Sequence, residues 1–245
     1  MDTETHAGSK AAAANAATMW ASIAEAARWP VIREPAVTAV DSRQPSHRRA
    51  VAGRTADPAV VVKMLDAFYG DDPTGYMLED PWGRLAWRAA GFTALESLPI
   101  LLCETPAAVA RPDDLHVSAV ETPAELATFE RTLIEAFPLT GRQPRPLWTD
   151  AVLDMPAFRM WLGTCDGTAV ATSVAWTDAD HVGVYWIAVQ TSHRRRGFGA
   201  AMTATAAAAV PGRPSVLVAT PTGEPLYRTL GYRRVAVSTR WVRVP

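Results

Sequence analysis

Hydrophobic positions along the chain come in short runs punctuated by proline and glycine, and their periods predict alternating strands and helices. Met19, Trp20, Ile23 and Ala27 share a helical face that Pro30 ends, after a small, polar, Ala-rich lead over 1–18 that reads as frayed. The polar stretch that follows, with Pro35 and the run DSRQPSHRR at 41–49, reads as a linker. Asp57-Pro58 opens a helix to about Tyr69, cap followed by proline, and Gly70-Asp71-Asp72-Pro73 stops it. A strand near 76–78, a helical turn over 82–90 and a strand over 98–102 come next. Strand 115–120 leads into Thr122-Pro123-Ala124-Glu125, a strong start for a helix over 123–137, then a loop at 138–146 and a short helix at 147–153. Three strands are predicted at 158–165, 168–177 and 182–189, with Asp166-Gly167 as the hairpin signal between the first two. A small-residue helix at 197–210, a strand at 216–220, a helical turn at 226–230 and a strand at 235–244 close the chain. The fold class expected is α/β, a mixed and mostly antiparallel sheet flanked by helices.

A faint repeat runs through this pattern. Pro81-Trp82-Gly83, then Trp87 to Phe92 (WRAAGF), matches Pro221-Thr222-Gly223, then Tyr227 to Tyr232 (YRTLGY), every pair offset by 140 residues. The same offset lays helix 57–69 over helix 197–210. The Pro- and Ala-rich segment 106–114 is the best boundary. The expected layout is a lead with a short helix over 1–30, a partial copy over 31–112 and a complete domain over 113–245.

Composition narrows the class. The 245 residues are 49% apolar, enough to bury a sizeable core, and 24 Lys+Arg against 25 Asp+Glu leave a net charge of -1. That balance gives no general pull towards nucleic acid or an anionic membrane, and neither is an expected partner. Only Lys10 and Lys63 are lysines, so local basic clusters are arginine forks suited to phosphate or carboxylate. Cys103 and Cys165 sit in apolar runs without metal-type spacing; they read as core thiols of a reduced, cytoplasmic protein with no metal. No signal-peptide pattern and no run of 18 apolar residues is found.

The segment richest in chemistry is VYWIAVQTSHRRRGFGAAMTATAAAA at 184–209. An apolar strand runs into Arg194-Arg195-Arg196-Gly197-Phe198-Gly199 and then into a helix of small residues. A helix start leaves about four N–H groups unbonded and carries partial positive charge. Glycines at 197 and 199 let a phosphate reach that backbone. The pattern is neither a dinucleotide fingerprint, since position 202 is Met, nor a Walker A loop.

Arg194-x-x-Gly197-x-Gly199 after an apolar strand, with Tyr227 four residues before Gly231-Tyr232, resembles the acyl-CoA signature of the GCN5-related N-acetyltransferase (GNAT) superfamily, over about 115–245. The resemblance implies acetyl-CoA as co-substrate and direct acyl transfer to a primary amine of a small molecule or peptide. It implies that Ile187, Ala188 and Val189 offer backbone groups to the pantetheine arm. Arg194, Arg195, Arg196, Gly197, Phe198, Gly199 and Ala200 would hold the pyrophosphate. The Val189 N–H would stabilise the developing oxyanion, and Tyr227 would serve as general acid to the leaving thiolate.

Other expectations are weaker in motif. The strand DHVGVYWIAV has no interior carboxylate, and His181, Glu121 and Glu224 read as surface residues, so no base is assigned. Trp148, Asp150, Trp176 and Trp186 are the acceptor-side candidates, aromatic walls with a carboxylate that suit an amine with an apolar body. In the first half Asp57 and Ala59 stand where Gly197 and Gly199 stand, and Trp87 replaces Tyr227; a cofactor-free copy is expected there. The rival reading is a non-catalytic acyl-CoA-binding regulatory module. A second copy of the chain, as a homodimer, is an option the sequence leaves open.

Overall fold

A computed structural model describes residues 3–44, 47–70, 74–137 and 147–244; the expected stop at 71–73 and the loop at 138–146 lie outside them. The chain divides into two compact units: Met1–Leu101 with Val218–Thr222 and Arg234–Pro245, and Leu102–Leu217 with Gly223–Arg233.

The first unit begins with α1 (Thr3–Ala27), a single helix where a frayed lead and a short helix were expected. Its Ala11, Ala12, Ala13 and Ala16 are buried along with Met19, Trp20 and Ile23. Alanine carries little hydrophobic signal, but its missing bulk lets a helix lie close on a sheet. At Gly8 the approach is so close that an added Cβ would collide with the Val235 side chain. The expected linker is likewise structured, as β1 (Val31–Glu34), β2 (Val37–Asp41) and β3 (Arg48–Ala52). Charge disguises them: Arg48, 1% exposed, sits inside β3. It donates to the Tyr69 carbonyl (2.7 Å) and Thr74 Oγ1 (2.9 Å), and its Nε lies 3.3 Å from Asp41 Oδ1.

α2 (Pro58–Tyr69) follows, capped by Asp57 Oδ1 accepting from the Ala59 N–H at 2.9 Å. β4 (Tyr76–Asp80), a 3₁₀ turn (Leu85–Trp87), β5 (Thr93–Cys103) and the last strand of the chain, β11 (Arg233–Arg243), complete the unit. Its strand order is β1-β2-β3-β4-β11-β5. The β1–β2, β2–β3 and β4–β11 pairs are antiparallel and β3–β4 is parallel. Asp80, fully buried, accepts from the N–H groups of Trp82 and Arg84, from Arg84 Nη1 and from Trp87 Nε1, so this buried charge is fully bonded.

The second unit contains β6 (His116–Ala119), α3 (Pro123–Ala136), a 3₁₀ turn (Asp150–Asp154), β7 (Phe158–Cys165), β8 (Thr168–Thr177), β9 (Val182–Val189), α4 (Phe198–Ala207), β10 (Ser215–Val218) and α5 (Glu224–Thr229). The order is β10-β9-β8-β7-β6, antiparallel except for the parallel β9–β10 pair. The α3 start is a full capping box between Thr122 and Glu125. Asp166 and Gly167, at φ 50° and 74°, make the two-residue hairpin between β7 and β8.

Both units thus run three strands, a helix and a fourth strand parallel to the third: β1-β2-β3-α2-β4 and β7-β8-β9-α4-β10. The offset of 140 carries the start of α2 onto that of α4 and the whole of β5 onto β11.

Candidate functional site

β9 is paired along its whole length on one side only. Towards β8 the ladder runs from Val182 to Val189, whereas towards β10 it consists of Val182 and Gly183 alone. From Val184 onwards, among the described residues, the other edge of β9 has no strand partner. The Gln190 N–H donates to the Val170 carbonyl at 2.8 Å. In an antiparallel ladder that makes Ala171 and Val189 the next, non-bonded pair, so the Val189 N–H turns away from β8.

A bulge sharpens this geometry. The register moves from Thr172↔Ala188 to Val174↔Tyr185, setting Trp186 and Ile187 opposite Ser173 alone. Trp186 takes φ 46°, a left-handed conformation that costs a residue with a Cβ about 1–2 kcal/mol. Its carbonyl accepts from Thr172 Oγ1 at 2.9 Å, which helps hold it there.

Beyond β9 a 3₁₀ turn (Thr191–His193) leads to Arg195 at φ 65° and Gly197 at φ 81°, the N-cap of α4. No side chain caps this helix. Among the described residues no backbone hydrogen bond uses the N–H groups of 195–197, and the first helical N–H groups have no carbonyl one turn back. Six consecutive amides, 195–200, are thereby available at the positive end of a helix dipole. A Cβ at Gly199 would come within 3.2 Å of Leu226 Cδ2 and 3.8 Å of Val189 Cγ2. The first turn of α4 is therefore packed directly against α5 and the end of β9. Phe198, 1% exposed, anchors that turn below.

The three arginines have different tasks. Arg194 donates from Nε to the Val189 carbonyl (3.1 Å) and from Nη2 to the Ala136 carbonyl (3.2 Å), tying the end of β9 to the end of α3. Arg196 pairs with Asp114 and lies over the Phe198 ring at 4.9 Å. Arg195 is exposed, and among the described residues no hydrogen bond or ion pair involves its side chain. Two of the charges expected in the cradle thus brace its frame, and the Arg195 guanidinium is left exposed.

Tyr227 lies on α5, half-buried, with its ring 6.0 Å from that of Tyr232. Burial pushes its hydroxyl up to about 12. Leu226 beside it lies against Gly199, so α5 stands at the start of α4, beside its uncapped amides.

On the acceptor side the candidates separate. Trp148 and Trp176 are 3% and 6% exposed and belong to the core, where Trp148 meets Phe129, Phe158 and Trp186. Trp186 is half-buried at the bulge and Asp150 is exposed on the 3₁₀ turn. The interior of β9 offers no carboxylate; His181 and Glu224 are partly buried and Glu121 is exposed. Sequence reading passed over Glu130, a buried carboxylate on α3. Its Oε1 accepts from the N–H groups of Leu147 (2.7 Å) and Trp148 (2.8 Å). Burial raises its pKa, partly offset by those two bonds. The available signal was its place on the apolar stripe Leu126, Phe129, Leu133, three or four residues apart.

The matching region of the first unit is closed. Asp57 occupies the α2 start with its own carboxylate, β3 and β4 stay paired over Arg49–Val51, and Trp87 is fully buried with its Nε1 on Asp80. Among the described residues no group of three or more His, Cys, Asp or Glu could hold a metal ion, and no helix is long and apolar enough to cross a membrane.

Residues 156–234 match the family model described as an acetyltransferase (GNAT) domain. Among solved structures, the chain is similar to a GCN5-related N-acetyltransferase from Kribbella flavida, 20% identical with a TM-score of 0.66, covering 93% of this chain and 95% of that one. It is also similar to a GNAT-family protein from Novosphingobium aromaticivorans (15%, TM-score 0.59, 88% and 91% covered). A functionally unknown conserved protein from Staphylococcus epidermidis gives 12%, TM-score 0.61, and 89% and 95% covered. Comparison with curated proteins finds no match. The fold is that of the acyl-CoA N-acyltransferases, and the match to a GNAT acetyltransferase domain lies at residues 156–234.

Proposed function

With an acetyltransferase domain of the GNAT type at 156–234 as the premise, we propose that the protein moves an acetyl group from acetyl-CoA to a primary amine of a small molecule or peptide, by direct attack. The observation that carries this reading is one continuous feature: the open edge of β9 beyond Gly183, ending at the uncapped amides of α4. An extended arm bearing amides suits the first part, as an added strand suits a sheet edge. A diphosphate suits the second.

Ile187, Ala188 and Val189 would line the pantetheine arm, and 195–200 with the Arg195 guanidinium would hold the diphosphate. When bound, the thioester supplies an activated acyl carbonyl. The Val189 N–H, turned away from β8, is the donor for charge growing on the carbonyl oxygen. Tyr227 faces a thiolate of ordinary pKa ~8.5 with a hydroxyl near 12, so full proton transfer would run uphill by roughly 5 kcal/mol. Its role is to donate a hydrogen bond that strengthens as the sulfur leaves. β9 carries no carboxylate or imidazole, and no side chain is assigned as base. Holding the two reactants together then supplies most of the rate.

The N-terminal unit reads as a partial copy of this fold without a cofactor site, supported by the common offset of its elements and by Asp57 at the helix start. The two free cysteines favour a cytoplasmic location. The test is release of free CoA from acetyl-CoA across a panel of amines and peptides. Amine-dependent release is expected. Binding with no release under any acceptor would make the protein a non-catalytic acyl-CoA-binding module.

A further inference from the structure

The carboxylate of Glu130 has no part in the chemistry above, yet it sits at one end of a chain of contacts that reaches the bulge. Its Oε1 gathers the N–H groups of Leu147 and Trp148, two successive amides on the segment that leads into β7. That grip fixes Trp148, whose ring meets the Trp186 ring edge-on with centroids 5.0 Å apart. Phe158 closes the group, 6.1 Å from Trp148 and 6.2 Å from Trp186. Trp186 is the left-handed residue that shifts the β8–β9 register and so decides which amides of β9 turn to the open edge. A strained residue persists only where its surroundings over-determine it. Here the surroundings are the Thr172 hydroxyl on one side and the tryptophan seated by Glu130 on the other.

We propose that Glu130 is a positioning residue for acetyl transfer: by clamping the amides of Leu147 and Trp148 it wedges Trp148 against Trp186 and keeps the β9 bulge in register. The proposal rests on the acetyl-transfer reading, because the bulge matters to turnover only if the Val189 N–H meets the thioester. A buried acceptor that serves two backbone amides cannot be replaced by an apolar side chain without leaving both unbonded. Glutamine keeps the oxygen that does the work, so the inference distinguishes shape and acceptor from charge.

The experiment compares wild type with Glu130→Gln, Glu130→Ala and Leu133→Ala, the last a core truncation on the same helix. Backbone hydrogen exchange over 185–188 is measured beside amine-dependent CoA release. Glu130→Ala should speed exchange at 185–188 by about tenfold or more and lower kcat by a similar factor, with the KM for acetyl-CoA within about twofold. Glu130→Gln should restore both readouts to near wild type. Leu133→Ala should lose as much thermal stability yet leave the exchange at 185–188 and kcat close to wild type. Should Glu130→Ala not fold, Trp148→Leu takes its place with the same expected rise in exchange. Changes that simply follow the loss of Tm, alike in Glu130→Ala and Leu133→Ala, would overturn the proposal, as would unchanged exchange in Trp148→Leu. If wild type releases no CoA with any amine, the acetyl-transfer reading fails, while the exchange data still decide whether Glu130 sets the bulge.

Discussion

Replacing Gly197 by glutamate tests the diphosphate cradle at its centre. The residue sits at φ 81°, where any side chain costs about 1–2 kcal/mol, and its Cβ would lie 3.3 Å from Pro112 Cγ. The ligand-free variant should therefore melt several degrees below wild type, and each protein must serve as its own baseline. Acetyl-CoA at a hundredfold excess over Kd should stabilise the wild type by about 2.7 kcal/mol. At about 2–4 °C per kcal/mol for a chain of this length, Tm should rise by roughly 5–10 °C. A carboxylate about 5 Å from one phosphate charge adds about 3 kcal/mol of repulsion at an effective dielectric near 20, more than a hundredfold in Kd. The same ligand concentration would then barely reach the new Kd, and the rise should shrink below about 1 °C. Gly197→Ala, with the strain and without the charge, should keep a reduced but measurable rise. A full rise in Gly197→Glu would refute the assignment of residues 195–200 to the diphosphate.

Further outcomes follow from the same geometry. Tyr227→Phe should lower kcat by about tenfold with little change in acetyl-CoA affinity; since the hydroxyl stays protonated to about pH 12, the wild-type rate should climb with amine deprotonation and show no fall up to pH 10. Tyr69, Tyr76, Tyr227 and Tyr232 are all raised by burial, so folding favours their neutral forms. The stability this gives is complete below the unfolded value near 10 and lost above it, and the Cys103 thiol, also raised by burial, adds a smaller loss from about pH 8.5; the urea midpoint should begin to fall near pH 8.5 and drop more steeply beyond 10. Arg243→Ala removes a two-pronged pair with Asp66 (2.7 and 2.6 Å) and a bond to the Ala90 carbonyl (3.0 Å) at the end of β11. Because both side chains are partly exposed, the cost should be about 1–2 kcal/mol, read as a lower urea midpoint.

Legibility followed the strength of local signals. The hairpin turn Asp166-Gly167 and the cap at Thr122 are written in residue types that only a few backbone shapes accept, and both appear where the pattern puts them. β7, β8 and β9 are long enough to show their alternation. β1, β2 and β3 are four or five residues each, and the buried Arg48 breaks the pattern that would have revealed β3. The first four turns of α1 are masked by alanine, whose burial comes from its size. At the candidate site, the glycines and the strand-turn-helix order pointed to the uncapped turn at the start of α4, because backbone access depends on what is missing from a side chain. What each arginine touches could not be read, since Asp114 and Ala136 reach Arg196 and Arg194 only through the fold. The same holds for Glu130, whose partners lie 17 and 18 residues on.

The path of the chain carries a consequence for how the protein is made. Strand β4 finds its partner in β11, Tyr76 lying opposite Arg243, so the N-terminal unit cannot be finished until residues 233–243 have left the ribosome. Until then β4 offers a bare hydrogen-bonding edge to anything nearby. Cutting the gene at 112 would not separate two self-sufficient proteins: one product would lack a sheet neighbour, and the other would end in a strand with nowhere to dock.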